Sequence, residues 1–410
     1  MATTTLLDEQ TINIVKSTVP ILEKRGDEIT SCFYKLMFQN HPELKNIFNQ
    51  TNQRKGDQSK ALANTVYAAA AHIDQLETIL PAIQPITQKH RSLNIKPEHY
   101  PIVGKHLLLA MQEVLGEDVA NDDVIGAWGK AYQEIANAFI TVEKGLYQKA
   151  TNVVGGWEGF RDFKVAKKVV ESDVITSFYL EPADEEPFSS FEAGQYITVK
   201  ANIPGESYTH LRQYSLSCAP GEGMYRISVK REDAIGNNPA GIVSNYLHSH
   251  LEEGSILPIS APAGDFIVDN ETKPLILISG GVGLTPMMSM LETVTKSQPN
   301  REVIFIHATR NGKFHAMKEH VKAITNKHSQ VTAYTIYDNP LEADKDYDKQ
   351  GFIDYEWLTN VVPTNDASFY FCGPKGFMQA IYRHLKAFHV AEENIHFEFF
   401  GPAQEIATAN

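Results

Sequence analysis

The spacing of apolar residues changes twice along this 410-residue chain, and each change limits the folds that the segment can adopt. Up to about residue 150, apolar side chains recur at intervals of three and four, which is typical of amphipathic helices. After the small, glycine-containing stretch 150–156, segments of five to eight residues alternate or run apolar, as strands do. From residue 273 onward strands and helices alternate. Three different folds are therefore expected in series.

The first third is predicted to be all-α, because no strand-like alternation occurs in it. A helix carrying His90 is expected to end at Lys96-Pro97, and Pro81 and Pro85 are expected to bracket the connection before it. The other predicted helices cover residues 11–22, 29–38, 61–73, 102–115 and 127–147.

The remaining chain is predicted to form an antiparallel β-barrel or sandwich and then an α/β fold with a parallel sheet. Gly and Pro clusters separate the strands of the middle third, and helices separate those of the last third. The predicted strands are 163–170, 174–180, 195–200, 212–218, 225–231, 274–279, 302–308, 331–337 and 367–372. The predicted domains are 1–150, 151–268 and 269–410.

A net charge of -13 disfavours nucleic acid and anionic membranes as partners, since both attract a basic surface. Cys32, Cys218 and Cys372 are far apart and odd in number, which fits a reducing cytosol and not a disulfide framework. The N-terminus lacks the basic and apolar regions of a secretory signal, and no apolar run approaches the roughly 20 residues that span a bilayer. A cytoplasmic protein without stable membrane insertion is expected.

Glu143 lies on the apolar stripe of the last helix in the first third, four residues after Phe139. A buried acid there needs a hydrogen-bonded or charged partner. If His90 ligates a metal through one ring nitrogen, its other N–H could donate to such an acid, and that bond would fix the tautomer. Two alternatives remain open: Glu143 reaches water from the edge of the stripe, and His90 is an ordinary histidine, one of 15.

Two hydrogen-bond donors are predicted among apolar residues elsewhere in the helical third. Tyr34 neighbours Met37 and Phe38 on its helix, and Gln58 begins a face that continues with apolar residues. Taken singly, Tyr34 is better explained as a core tyrosine and Gln58 as a polar residue at a helix start. Phe48 is equally well explained as plain core.

A short motif in the barrel third, Arg212-Gln213-Tyr214-Ser215, has the chemistry to hold a nucleotide. A guanidinium suits a pyrophosphate, and a tyrosine ring can lie against a planar heterocycle. Tyr196 precedes the motif, and Ser244 lies at the start of a short helix whose N-terminus is a natural phosphate seat. Alone, the motif could be a barrel strand with a surface arginine.

Residues 279–286 (Ser-Gly-Gly-Val-Gly-Leu-Thr-Pro) follow a strand and open a helix. Glycines let the backbone approach a pyrophosphate, and a first-turn proline needs no N–H donor. The pattern Gly-x-Gly-x-x-Pro departs from the Gly-x-Gly-x-x-Gly of common dinucleotide folds. Cys372 closes a later strand where a nicotinamide would arrive, and a small strand-end residue is favoured there over a nucleophile.

Long, ordered motifs connect the chain to a known family. They are Phe33-Tyr34, Asn46-Ile-Phe48, Asn52-Gln-Arg-Lys-Gly-Asp-Gln58, Gln88-Lys-His90, Lys96-Pro-Glu-His-Tyr100 and Ala127-Trp-Gly-Lys-Ala-Tyr132. With them, residues 1–150 resemble a bacterial-type globin, and the whole chain resembles a flavohaemoglobin of the nitric oxide dioxygenase family. The strand with Arg212-Gln213-Tyr214-Ser215 and the Gly-x-Gly-x-x-Pro turn resemble those of ferredoxin reductases. Tyr246, where tryptophan is common, and a long loop at 232–241 depart from that pattern.

The resemblance implies an all-α globin domain with haem b, an antiparallel β-barrel FAD domain and an α/β NAD(P)-binding domain. It implies His90 as the proximal iron ligand with Tyr100 and Glu143 as hydrogen-bonded partners, and it places Tyr34, Gln58 and Phe48 on the distal side. The implied FAD residues are Tyr196, Arg212, Gln213, Tyr214, Ser215, Val243, Ser244, Glu398 and Phe400. The implied NAD(P) residues are Gly280, Gly281, Val282, Gly283, Leu284, Thr285, Pro286, Cys372 and Gly373.

The activity implied by the resemblance is oxidation of nitric oxide to nitrate with O2 and NAD(P)H. A monomer with no obligate protein partner is expected. Arg310 and Lys318 could accept a 2′-phosphate or be surface charges, so NADH and NADPH both stay open. Two other functions are considered: an oxygen sensor or carrier whose reductase keeps iron ferrous, and a reductase with a vestigial globin.

Overall fold

The computed structural model describes residues 7–49, 57–236 and 239–401 of the chain. The chain divides into two compact units. The first contains the described residues of Met1–Phe160 together with Lys200–Arg212. The second contains those of Arg161–Val199 and Gln213–Asn410.

The first unit is helical up to Asn152, as the spacing of apolar residues predicts. Its helices begin where side chains can accept from free N–H groups: Asp8 accepts from the amide of Thr11, and Asn121 from that of Val124. The α-helices are α1 Glu9–Ser17, α2 Val19–Asn40, α3 Asp57–Ala71, α4 Leu80–Ser92, α5 His99–Leu115 and α6 Asp122–Asn152.

Proline residues explain two wrong predictions in this unit. The helix expected at 11–22 is broken at Thr18, because Pro20 lies in the first turn of α2, where a missing N–H costs nothing. Pro81 and Pro85 lie within α4 and do not bracket a connection. Pro81 occupies the first turn, so Pro85 alone removes one intrahelical hydrogen bond. The helix carrying His90 ends at Ser92, before Lys96-Pro97.

Helix α2 forms the centre of this unit, packing against α3 and α5. Its buried face includes Phe33 and Met37, which join Met111 of α5 and Trp128 of α6 in one apolar core. A second, smaller cluster is formed by Ile83, Tyr100, Ala136 and Phe139. Helices α4, α5 and α6 thus meet around residues predicted for the proximal site. Helix α6 also continues five residues past 147, into the stretch expected to be a linker.

A six-stranded sheet has the order β4-β3-β6-β1-β2-β5, and its observed strand pairs β1–β2, β2–β5 and β3–β6 are antiparallel. A bridge between Leu216 and Ile227 joins the ends of its edge strands, as a barrel requires. The strand at 256–260 has no counterpart among the predicted strands. The elements are β1 Phe160–Val170, β2 Ile175–Pro182, β3 Tyr196–Ala201, β4 His210–Ser215, β5 Tyr225–Lys230, helix α7 Ile242–His250 and β6 Ile256–Ser260.

The rest of the second unit is a parallel sheet in the order β10-β9-β8-β7-β11-β12, with helices between its strands. All residues of its central strands β7 and β11 are buried, because helices cover both faces. The elements are β7 Leu275–Gly280, α8 Leu284–Ser297, β8 Val303–Thr309, α9 Lys318–Lys327, β9 Val331–Tyr337, β10 Lys349–Gln350, α10 Tyr355–Val361, β11 Ser368–Cys372, α11 Lys375–Ala387 and β12 Ile395–Glu398.

The strand order of this sheet reverses between β7 and β11. In open parallel sheets, the crevice outside the carboxyl ends of the strands at such a point is where ligands bind. The glycine turn at 280–283 follows β7, and Gly373 follows β11, so both predicted nucleotide segments lie at this point. Among the described residues, no helix is both long enough and apolar enough to cross a membrane.

Candidate functional site

Three side chains from three helices converge on the predicted proximal site. His90 of α4 places its Nδ1 2.8 Å from Glu143 Oε1 of α6. The hydroxyl of Tyr100, from α5, donates to the same oxygen at 2.7 Å and lies 3.3 Å from His90 Nδ1. The structure therefore brings together all three residues that the resemblance assigned to this side of the haem.

Burial determines the chemistry of this triad. Glu143 is only 3% exposed, so its oxygen depends on the two donors, His90 and Tyr100. Burial and then the negative charge of Glu143 raise the pKa of Tyr100 well above its usual value, which keeps the phenol protonated as a donor. Since Glu143 Oε1 accepts from His90, the proton of the imidazole belongs on Nδ1, and Nε2 carries the lone pair.

Aromatic residues on the same face of α6 support the triad, and Tyr147 among them was not singled out in the sequence. The ring of Phe139 lies 5.9 Å from that of His90. The hydroxyls of Tyr132 and Tyr147 each donate at 2.7 Å, to the carbonyls of Tyr100 and Ile95. Tyr147 follows Phe139 and Glu143 at helical spacing, which is the signal that would have found it.

On the predicted distal side, the ring of Tyr34 is buried between aromatic neighbours. Its centroid lies 5.7 Å from that of Phe48 and 5.8 Å from that of Phe38. Gln58 is half-buried in the first turn of α3. The structure thus brings Tyr34 and Phe48 together, whereas most of the motif that ends at Gln58 lies outside the described residues.

The donor set of the first unit fits a haem. A proximal ligand needs one neutral imidazole with its second nitrogen held by a hydrogen bond, which His90 and Glu143 supply. In the part of the chain that the structure describes, no group of three or more His, Cys, Asp or Glu residues could hold a metal ion. A metal bound through His90 must therefore take most of its donors from elsewhere, as iron does from a porphyrin.

Strand β4 carries the predicted flavin motif at the edge of its sheet. Arg212, Gln213 and Tyr214 are half-buried, and Ser215 is buried. Gln213 Nε2 donates to Thr198 Oγ1 at 3.2 Å. An edge strand with three half-exposed polar side chains fits the recognition of a flavin nucleotide.

The other predicted flavin residues lie on neighbouring elements of the second unit. A Cβ on Gly264 would lie 3.0 Å from the Tyr196 ring, so glycine lets this tyrosine pack against the backbone. Val243 and Ser244 are buried in the first turn of α7. Ser244 Oγ accepts from the amide of Glu232 at 3.1 Å, which ties Glu232 to the helix.

The glycine turn has the backbone geometry that a pyrophosphate requires. Gly281 has a φ of +53° and nothing within 4 Å of a built Cβ, so its surface is open to a ligand. A Cβ on Gly283 would lie 2.1 Å from the carbonyl oxygen of Cys372, so only glycine allows the turn to lie against the end of β11. Pro286 follows in the first turn of α8. The turn fits a dinucleotide phosphate.

A buried polar network beneath this turn was missed in the sequence. Ser279, the residue before the turn, has its Oγ 2.8 Å from His307 Nδ1. The His307 ring lies 4.8 Å from that of His315, whose Nδ1 is 2.9 Å from the Tyr337 hydroxyl. Burial lowers the pKa of His307 and lowers that of His315 to about 4, so both rings are neutral. The signal was a histidine within the apolar strand β8.

Cys372 is fully buried, and burial followed by the charge of Glu398 raises the pKa of its thiol well above the usual value. A neutral, buried thiol supports the interpretation as a small strand-end residue. Glu398 pairs with Cys372 in register at the end of β12, and Phe400, beyond the strand, is 49% exposed. Strand β12 ends at Glu398.

Arg310 and Lys318, considered as 2′-phosphate ligands, both have other partners in the structure. The Arg310 guanidinium lies 4.8 Å from the centroid of the Phe314 ring. Lys318 Nζ lies 3.9 Å from Asp346.

Three family models match successive parts of the chain. They are the globin model over residues 31–139, the oxidoreductase FAD-binding domain over 162–267 and the oxidoreductase NAD-binding domain over 277–383.

Relatives match the chain over nearly its whole length. A flavohemoprotein of Oceanobacillus iheyensis is 60% identical over 99% of both chains, and one of Bacillus subtilis is 50% identical over 98% of this chain and 99% of its own. The crystal structure of a flavohemoglobin from Malassezia yamatoensis with bound FAD and heme aligns with a TM-score of 0.83 at 28% identity, covering 96% of this chain and 100% of that one. The FAD/NAD-binding domain of nitric oxide dioxygenase from Vibrio cholerae aligns with a TM-score of 0.55 at 37% identity, covering 59% and 99%.

The fold and these matches define an oxidoreductase in which a globin is followed by a reductase with FAD- and NAD-binding domains. More particularly, the chain belongs to the flavohemoprotein family, whose known role is the detoxification of nitric oxide. The expected three-part fold, the class of enzyme and the set of haem, FAD and nicotinamide cofactors are thereby confirmed.

Proposed function

We propose that this chain is a nitric oxide dioxygenase, which oxidises nitric oxide to nitrate with O2 and NAD(P)H. Haem, FAD and nicotinamide, when bound, supply the redox chemistry, in which a two-electron hydride donor is coupled to one-electron reduction at iron. The observation that carries the proposal is the hydrogen bond between His90 and the buried Glu143, because a plain oxygen carrier has no need of so strongly hydrogen-bonded a histidine ligand.

The triad is proposed to act through the ring of His90, the iron ligand. Glu143 draws the Nδ1 proton toward itself, which makes the imidazole more basic and holds its orientation. Tyr100 donates to the same carboxylate oxygen and so limits the extent of that proton shift. Phe139 packs beside the ring, with the two ring centroids 5.9 Å apart.

Tyr34 and Gln58 are proposed as hydrogen-bond donors on the distal side, with Phe48 packed on the haem face. The support for Tyr34 is its position: its ring packs against Phe48, the residue proposed to lie on the haem face, and against Phe38. A donor fixed in apolar surroundings stabilises negative charge that develops on a diatomic ligand.

In the reductase part, Arg212 is proposed to bind the pyrophosphate of FAD, and Tyr214 and Ser215 its ring system. The other proposed FAD residues are Tyr196, Gln213, Val243, Ser244, Glu398 and Phe400. The turn Gly280–Gly283 with Leu284, Thr285 and Pro286 is proposed to hold the phosphates of NAD(P)H, and Cys372 and Gly373 to border the nicotinamide. The open Gly281 and the close approach of Gly283 to Cys372 support that assignment.

The finer expectations from the sequence belong to the same proposal. The domains are proposed to be 1–150, 151–268 and 269–410, and the enzyme to work in the cytoplasm as a monomer. Its proposed partners are the small molecules nitric oxide, O2 and NAD(P)H, with no obligate protein partner.

The proposed activity is tested by stopped-flow consumption of nitric oxide by the haem- and FAD-loaded protein under O2 and NADH. Fast, catalytic consumption with stoichiometric nitrate is the expected result. Slow consumption alongside tight O2 binding would favour an oxygen carrier instead. A purified protein without a Soret band would favour a reductase with a vestigial globin.

A further inference from the structure

Helix α8, which follows the glycine turn, is hydrogen-bonded to the segment after strand β4. None of the proposed cofactor contacts explains these bonds. The helix starts at the glycine turn, and its residues Ser289 and Glu292 lie on one face, about 8 and 12 Å along its axis from the start. That face meets residues 217–222, which directly continue strand β4 with its proposed flavin motif. Both partners belong to the second unit.

Three polar contacts join the helix to this segment. Ser289 Oγ donates to the carbonyl of Cys218 at 2.7 Å, and Glu292 Oε2 accepts from the amide of Ala219 at 3.0 Å. One turn further along, Lys296 pairs with Glu222 at the surface. The first two contacts are buried, so water cannot replace them.

An ion pair from the barrel strengthens this connection. Arg226 of β5 donates to Glu292 Oε1 at 2.7 Å, and it also donates to the carbonyl and the hydroxyl of Ser217. Arg226 and Glu292 are 5% and 8% exposed. Burial would raise the pKa of Glu292, but the hydrogen bond of His320 and the charge of Arg226 outweigh it and lower that pKa, so the group is a carboxylate.

A buried ion pair adds little stability compared with an apolar pair of the same shape, so its value lies in geometry. Here Arg226 donates to the carbonyl of Ser217, just beyond the end of β4. Glu292 accepts from both Arg226 and the amide of Ala219. The helix and the strand cannot slide past one another without breaking these bonds. Apolar contacts between the same elements would permit such sliding.

We propose that Ser289, Glu292 and Arg226 are positioning residues that align the nucleotide turn with the flavin strand for hydride transfer. This inference rests on the proposed path of electrons from nicotinamide to flavin. Hydride transfer is sensitive to the donor–acceptor distance, so a small slip of α8 lowers the rate although both cofactors stay bound. None of the three residues is proposed to touch a cofactor.

The test uses the full-length haem- and FAD-loaded protein with Ser289→Ala and Glu292→Gln, and Ser297→Ala as the matched control. The hydroxyl of Ser297 donates within the same helix, to the carbonyl of Thr293. Flavin reduction by NADH is followed anaerobically by stopped flow. The limiting rate at saturating NADH is expected to fall about tenfold in Ser289→Ala and further in Glu292→Gln, with the control unchanged.

Two further measurements separate alignment from simple loss of structure. The dissociation constant of NAD+ and the FAD content are expected to stay unchanged in Ser289→Ala, because the turn and strand β4 are intact. Amide hydrogen exchange in the peptide containing Cys218 and Ala219 is expected to be faster, which needs no activity to observe. If Glu292→Gln loses FAD, the limiting rate and the NAD+ dissociation constant of Ser289→Ala distinguish alignment from loss of structure.

Limiting rates equal to that of the unmodified protein in both variants would overturn the inference. So would a loss of rate matched by an equal loss of NAD+ affinity, since the helix would then affect binding and not alignment. A protein that consumes no nitric oxide but shows the expected pattern of flavin reduction would refute only the proposed function.

Discussion

The surroundings of His90 and the glycine turn at 280–283 are built in different ways. Around His90, three helices each contribute one side chain, and hydrogen bonds between side chains define the site. At the glycine turn, side chains are absent where a ligand would approach, and the backbone itself forms the surface. The first region should therefore be sensitive to the loss of functional groups, and the second to the addition of a single carbon atom.

The largest effect is expected from His90→Ala. The protein should lose its haem or its nitric oxide consumption, because the imidazole of His90 is the proposed iron ligand. NADH-driven dye reduction should persist, since the reductase residues are untouched. The Soret band and the two activities are measured together, with the exposed His72→Ala as the control. Full nitrate formation by His90→Ala would show that His90 is not the iron ligand.

Gly283→Ala tests directly whether the glycine turn tolerates a side chain. The new Cβ would lie 2.1 Å from the carbonyl oxygen of Cys372, so the turn or the end of β11 must shift. We expect flavin reduction by NADH to slow by more than about 100-fold, because misplacement by about 1 Å has that effect. Gly376→Ala, on the following helix with open space around it, is the control. Unchanged NADH kinetics in Gly283→Ala would show that the turn tolerates a side chain.

The buried histidines beneath the turn should make the reductase part sensitive to acid. Burial, followed by the charge of Lys318, lowers the pKa of His315 from 6.5 to about 4. Unfolding below pH 6.5 therefore takes up a proton, and stability that is complete above pH 6.5 is lost as pH falls toward 4. The loss for this group is about 3 kcal/mol.

Chemical denaturation followed across this pH range measures the effect. In His315→Gln the amide can still bond to the Tyr337 hydroxyl but does not titrate, so the pH dependence should become shallower. An equally steep loss of stability in His315→Gln would assign the effect to other groups.

Glu143→Gln weakens the hydrogen bond to His90 but keeps His90, the proposed iron ligand, in place. The amide keeps the shape of the acid but is a weaker acceptor for the Nδ1 proton of His90. Nitric oxide turnover is expected to fall by about 10- to 100-fold, the usual range for such hydrogen-bonded partners of a ligand. The iron–histidine stretching frequency should fall with it, while Glu113→Gln, an exposed change on α5, alters neither. A constant frequency would mean that Glu143 does not tune the ligand.

Tyr34→Phe should have the smallest effect of the series. A single hydrogen bond of about 1 kcal/mol corresponds to O2 dissociation about fivefold faster, with lower turnover. Flash photolysis or stopped flow measures that rate. Unchanged O2 dissociation would remove the Tyr34 hydroxyl from the mechanism.

Local patterns predicted much of the fold because each secondary structure has its own period. The strand 331–337 was predicted with the bounds that the structure has, and the division into helical, barrel and α/β parts was correct. The failures occurred where tertiary packing overrides a local signal. Proline within α4 is tolerated because neighbouring helices hold the segment, and the short strand β6 was missed because it contains a proline.

The sequence by itself determined which residues carry chemistry: a histidine, an acid on an apolar stripe, a guanidinium beside a tyrosine, and glycines after a strand. Only the tertiary structure decided which of them meet. His90 and Glu143 are 53 residues apart, and Arg226 and Glu292 are 66 apart, yet each pair is in hydrogen-bond contact. Contacts at such separations depend on how whole helices and sheets pack, and no local periodicity records that packing.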